Sequence, residues 1–196
     1  SAVVKVNPDG TATLLTGVND QGSGALTMQV QVVAHELQLP LERVRLLVAG
    51  TDSGPWDSGS SAARVTHVAG QATIRACAEV RLKLSTVAAE CLGCQTNDVE
   101  LVAGAFRNRN RPSIQVVFAK VAANACADGE PISGYGRYEH WGEMPSGTSF
   151  VAHVVEVEVD RETGQVQVRR VSAATDVGTV LNPIAVTGQL DGALIM

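Results

Sequence analysis

Residues 1–48, SAVVKVNPDGTATLLTGVNDQGSGALTMQVQVVAHELQLPLERVRLLV, decide the fold class. Residues 2–6 and 11–16 alternate around the turn signal Asn7-Pro8-Asp9-Gly10, which predicts a β-hairpin. A glycine-rich loop at 17–24 follows, and Leu26, Val30, Val33, Ala34 and Leu37 then recur on one helical stripe. Beyond Pro40, residues 44–48 read as a strand. Strands and helices mix without strand–helix–strand regularity. The expected class is α+β, with mixed β-sheets packed with helices and no Rossmann architecture.

Working outward, residues 52–60 form a Gly/Ser/Pro loop, and 61–92 read as one Ala-rich helix with Gly70 as its weak point. Ser58 or Ser60 would cap that helix. Residues 99–102 predict a strand, the basic run Arg107-Asn108-Arg109-Asn110-Arg111 a solvated loop, 113–126 a helix and 132–140 an extended segment. A second hairpin is expected from 150–159 and 165–174, and its alternation suggests a sheet with one face more buried. Pro183 opens a last helix. That pattern has no stop signal at Ile195-Met196, so the chain is expected to be an incomplete piece.

Composition narrows the function classes. Of 196 residues, 45% are apolar, enough for a sizeable core. Only 18% are charged, which suggests surface hidden against a partner. The formal net charge of −5 argues against nucleic acid or an anionic membrane, and the basic run lacks aromatic interleaving. There is neither a membrane-length apolar run nor a signal pattern. Cys91-Leu92-Gly93-Cys94 lacks the second pair a zinc site needs, and it ends a helical pattern rather than starting one. With Cys77 and Cys126 it reads as reduced thiols on or near a core. A cytoplasmic protein is expected, with export of the parent left open.

Three small-residue loops are expected to open helices: Asp20-Gln21-Gly22-Ser23-Gly24, the run from Trp56 through Gly59, Ser60, Ser61, Ala62 and Ala63 to Arg64, and Thr187-Gly188-Gln189-Leu190-Asp191-Gly192-Ala193. Helix starts carry free N–H groups and partial positive charge, so such loops suit a polar, anionic cofactor. Each loop alone is also what plain capping produces. Neither a phosphate-binding loop ending in Gly-Lys-Ser/Thr nor GxGxxG occurs. Ser60 with His67 lacks an oriented acid, and His35, His67, His140 and His153 have no metal-ligand spacing. His153 reads as a satisfied, partly buried residue. Asp52, Asp57, Glu139 and Glu143 are candidates for paired carboxylates.

Taken in order, these segments resemble the molybdopterin-binding part of the xanthine dehydrogenase / aldehyde oxidase family of molybdenum hydroxylases. Gln21-Gly22 with Met28-Gln29-Val30 and residues 36–45 resembles one family run; Thr51-Asp52-Ser53 through residues 59–64, with Gly70-Gln71-Ala72, resembles a second. Residues 150–164 resemble the family's hairpin. Asp176-Val177-Gly178, Leu181-Asn182-Pro183 and residues 188–192 resemble its last run. The match covers nearly the whole chain, with only about 103–130 undistinguished.

The resemblance implies a fragment of the large subunit: 1–140 a first molybdopterin-binding subdomain with a long central helix, and 141–196 a hairpin plus the truncated start of a second. It implies that Gln21 lies nearest the metal. Gly22, Gly59, Ser60, Ser61, Ala62 and Arg64 would hold the dithiolene and pyrophosphate region, and Gln189 the pterin. The metal has no protein ligand in this chain. The activity implied is hydroxylation of an aldehyde or purine-like N-heterocycle with water-derived oxygen, electrons passing through iron–sulfur clusters to FAD in partner domains or subunits. The family's general-base glutamate belongs to a segment beyond this sequence, so the isolated chain is expected to be inactive. Asp20 departs from the small residue usual at its position. The alternatives are a natural split or non-catalytic subunit needing a second molybdenum subunit, and a stand-alone phosphate-binding domain.

Overall fold

The computed structural model describes residues 1–61, 63–127, 129, 131–139 and 148–195. Ala62, His140 and Glu143, singled out above, lie outside the described residues. Two compact units are present, Ser1–Glu139 and His140–Met196.

In the first unit, β1 (Ala2–Val6) and β2 (Ala12–Thr16) pair antiparallel across the expected turn. The turn closes through Asn7 N–H to the Thr11 carbonyl at 2.8 Å, with Gly10 at φ 79°. Glycine is needed there twice over, because a Cβ would also run into Ala119. α1 (Ala25–Glu36) carries the chain to β3 (Val44–Val48), which pairs parallel to β2. With β7 (Ile132–Gly136) against β1, the sheet runs β3-β2-β1-β7. The mixed α+β architecture is that expected.

The 28-residue α2 (Val65–Leu92) lies along this sheet. Ala72, Ala76, Val80 and Leu84 pack with Val4, Val6 and Leu14 of the sheet, Val33 of α1 and Leu37 just after it in one buried core. The Ala-rich stripe lets β7 approach closely: a Cβ at Gly134 or Gly136 would overlap the carbonyl oxygen of Ala76 or Ala72. α2 ends at the left-handed Gly93, with Cys94 N–H returning to the Ala89 carbonyl, so the CxxC straddles a helix C-cap. All four cysteines are free; Cys77 is buried and Cys91 exposed.

Three expectations are corrected here. The helix begins at Val65, not at 61, and neither Ser58 nor Ser60 caps it. Ala63 adopts a left-handed φ of 52°, which breaks the helical run, and the Ser60 hydroxyl is drawn to another loop. The basic run is not a loop: β4 (Val99–Val102), β5 (Ala105–Asn108) and β6 (Arg111–Val117) form a separate antiparallel sheet with a tight turn at Arg109-Asn110. Consequently the helix expected from 113 is only α3 (Phe118–Ala125). Pro112 disfavours a helix here, the β-branched Ile114, Val116 and Val117 favour a strand, and pairing with β5 completes it.

The second unit holds β8 (Phe150–Val159) and β9 (Val166–Asp176), paired antiparallel, and α4 (Pro183–Ile195). The sheet was expected to bury one face; instead every residue of β8 is exposed, His153 included. A two-stranded ribbon has no second layer of its own, so alternation alone covers neither face. The third loop is corrected as well. Residues 187–193 lie inside α4, which is opened by Asn182, whose Oδ1 accepts the Ala185 N–H at 3.0 Å.

Candidate functional site

The first two small-residue loops meet at one end of the first unit. Gly17 makes this possible: a Cβ there would overlap the Pro55 carbonyl oxygen, so the backbones of the two loops touch. Three successive side chains then divide their bonds. The Asn19 carbonyl accepts the Ser60 hydroxyl at 2.6 Å, and its Oδ1 accepts the Ser60 N–H at 3.3 Å. Gln21 Nε2 donates to the Ser60 carbonyl at 3.2 Å. Asp20 turns instead to the start of α1. Its Oδ1 accepts N–H from Gly22 at 2.9 Å and Gly24 at 3.2 Å, and its Oδ2 accepts Leu26 N–H at 3.3 Å. Partial burial works to raise the Asp20 carboxyl, but the donors of Leu26, Gly24, Gly22 and Ser23 outweigh it and hold the group below the ordinary carboxylate range.

The second loop is braced by a buried acid. Asp57, with a side chain only 1% exposed, accepts the Gly59 N–H at 2.9 Å and Arg64 Nη1 at 3.0 Å, both at Oδ1. Arg64 Nη1 also donates to the Gly59 carbonyl at 2.7 Å. The Asp57 Oδ2 is buried without a hydrogen-bond partner. A buried acceptor left open is costly unless a donor meets it. The backbone stays approachable nearby, since a Cβ at Gly22 or Gly59 would meet nothing within 4 Å. Both glycines have φ near +90° (91° and 90°), a geometry other residues adopt only with strain.

The structure therefore joins Gln21, Gly59, Ser60 and Arg64 in one hydrogen-bonded cluster, with Gly22 beside Gln21 and Ser61 accepting the Arg64 N–H at 3.1 Å. Ala62 lies outside the described residues. Gln189 is a residue of α4 in the second unit. The other candidates disperse. His67 Nε2 meets the Tyr138 hydroxyl at 3.1 Å rather than Ser60, so no serine–histidine pair forms. Asp57 pairs with Arg64, and Glu139 with Arg137. Among the described residues, no group of three or more His, Cys, Asp or Glu is placed to hold a metal ion. Asn19 is the residue of this cluster that motif reading misses. Its signal was an Asn beside an Asp before a glycine loop, where short polar side chains bond nearby amides.

The chain is similar to much longer proteins. It is 30% identical over 198 residues, 99% of this chain, to the carbon monoxide dehydrogenase large chain of Hydrogenophaga pseudoflava. It is 31% identical over 202 residues to the nicotine 6-hydroxylase large subunit of Paenarthrobacter nicotinovorans. The crystal structure of Cu,Mo-CO dehydrogenase in its carbon monoxide reduced state superposes with a TM-score of 0.86 at 28% identity, over 98% of this chain and 24% of that one. The chain spans about a quarter (24%) of the length of these curated relatives. The molybdopterin cofactor-binding domain profile matches residues 1–196, and the chain belongs to that family.

Proposed function

We propose that this chain forms one wall of the molybdenum-cofactor site in the large subunit of an oxidoreductase. The parent would hydroxylate an aldehyde or N-heterocycle with water-derived oxygen; the chain alone is inactive. The observation that carries the reading is the cluster in which Gln21, Ser60, Gly59 and Arg64 converge beside two open glycines.

The residues fit such a group on two counts. Backbone is approachable at Gly22 and Gly59, as a phosphate-bearing ligand held by amides requires. The unpartnered Asp57 Oδ2 offers a buried acceptor for a ring N–H, which a pterin supplies. When bound, the cofactor supplies the redox chemistry, taking up two electrons from substrate. In the first unit, Gly22, Gly59, Ser60, Ser61 and Arg64 would hold the dithiolene and pyrophosphate side, and Gln21 would offer its amide toward the metal. The general base, iron–sulfur clusters and FAD belong to the remainder of the large subunit and to partner domains or subunits. The free thiols support a reducing, cytoplasmic compartment. Among the described residues, no helix is long and apolar enough to cross a membrane.

Metal and pterin analysis of the purified parent tests this directly. About one molybdenum and one pterin per chain are expected, and Gln21→Ala should keep that content while lowering kcat/KM roughly 10–100-fold. A parent devoid of both would overturn the reading.

A further inference from the structure

The crossing of α1 and α2 contains a polar seam. Gln29 of α1 is fully buried, and its Nε2 donates to the Thr73 hydroxyl of α2 at 3.3 Å. Thr73, also fully buried, gives its own proton to the Ala69 carbonyl at 2.8 Å, one turn back in the same helix. The Gln29 Oε1 is left buried without a hydrogen-bond partner. Turning the amide end for end only exchanges which atom is left open. The pair also stands between the two apolar clusters: Met28, Val65 and Ala69 belong to one, and Val33, Ala72 and Ala76 to the other.

Gly70 supplies room at the same crossing. It is buried inside α2, where glycine is a poor helix former. No clash requires it, since a Cβ there would meet only Met28 Sδ, at an ordinary 4.0 Å. Gly134 and Gly136 differ, because a Cβ at either would overlap the α2 backbone. A buried glycine that nothing crowds leaves a gap large enough for a methyl group. Gly70 and Thr73 share one face of α2, and Met28 and Gln29 are consecutive in α1, so gap and open amide belong to one crossing.

We propose that this crossing is a binding site for one ordered water, held by the Gln29 amide in the gap that Gly70 leaves. Hydrogen bonds through that water, rather than close packing alone, then join α1 to α2 below the loops that carry Gln21 and Ser60. A buried amide end without a partner is costly, and water both donates and accepts, so it serves the amide in either orientation. The Thr73 oxygen keeps a lone pair and offers the second partner that a buried water needs. Gaps walled only by apolar groups stay dry; this one adjoins an amide and a hydroxyl. Nothing here depends on the cofactor.

A crystal structure of the parent protein, at a resolution that orders buried waters, should show one water within about 3.2 Å of the open Gln29 amide atom. Gly70→Ala and Gln29→Met should each remove it. Hydrogen exchange of the α2 peptides in the parent, followed by mass spectrometry, supplies the energetic sign. Replacing a helical glycine with alanine should by itself raise protection about fivefold. That rise is expected in the Gln29→Met background, where no amide is left to serve. With Gln29 present, the new methyl expels the water and leaves the amide unpaired, so the rise should vanish or become a fall of up to roughly tenfold. The proposal is overturned by a dry gap in wild type, by the same rise in both backgrounds, or by a fall in both, which would mark the methyl as a clash with Met28. Should Gly70→Ala fail to fold, the wild-type and Gln29→Met crystals still decide whether the water is there and whether Gln29 holds it.

Discussion

Asn19 and Ser60 stand 41 positions apart in sequence, and their hydrogen bonds tie the loop that carries Gln21 to the loop that opens α2. Sequence reading singled out the loops that carry Gln21, Ser60 and Arg64 for their glycines and serines, and named those residues through the family resemblance. It could not find the Asn19 bonds, which exist only because Gly17 lets two backbones touch. Nor could it show that Asp57 answers Arg64 rather than another acid. The thiols make a separate residue-scale prediction. Burial pushes the Cys77 thiol up to about 12, whereas Cys91 is exposed. Thiolate is the reactive form, so iodoacetamide at about pH 8 should label Cys91 and spare Cys77 in the native chain. Mass spectrometry of tryptic peptides decides it; equal labelling without unfolding would contradict the burial.

The elements were legible wherever period and punctuation agreed. The hairpin of β1 and β2, the stripe of α1 and the long α2 all carry their pattern locally. β6 did not, because residues 113–126 contain too few turn signals to separate a strand from the helix after it. Pairing of β6 with β5 settles the matter through hydrogen bonds that no local window contains. The contact of β7 with α2 is likewise tertiary. Gly136→Ala drives a methyl into the Ala72 carbonyl and must part strand from helix. A loss on the order of 3 kcal/mol is expected, read as a fall in urea midpoint at unchanged m-value. Gly192→Ala, where a Cβ meets nothing within 4 Å inside α4, should instead be neutral or mildly stabilising.

At the scale of the molecule, the first unit is held by two buried apolar clusters and carries carboxylates that prefer the folded state. Asp9 is held low by the Thr11 hydroxyl and then its N–H. Glu79 is held low by Lys83 and then the Tyr135 N–H. Both are depressed when folded, so the unfolded chain binds protons first as pH falls. Their stabilisation is complete above the ordinary carboxylate range of about 4 and is lost as pH drops through the folded values. Urea midpoints should therefore hold level from about pH 7 to about pH 5 and fall below about pH 4; a midpoint rising on acidification would refute the assignment. Glu79→Gln should flatten part of that fall. The sequence by itself determined the α+β class, the main helices and hairpins, and the identity of the two loops, because apolar period, turn residues and small-residue runs are local properties of the chain. Only the tertiary structure decided that those loops meet, because Gly17 against Pro55 and Asn19 against Ser60 are contacts between segments far apart in the chain, and no local pattern encodes them.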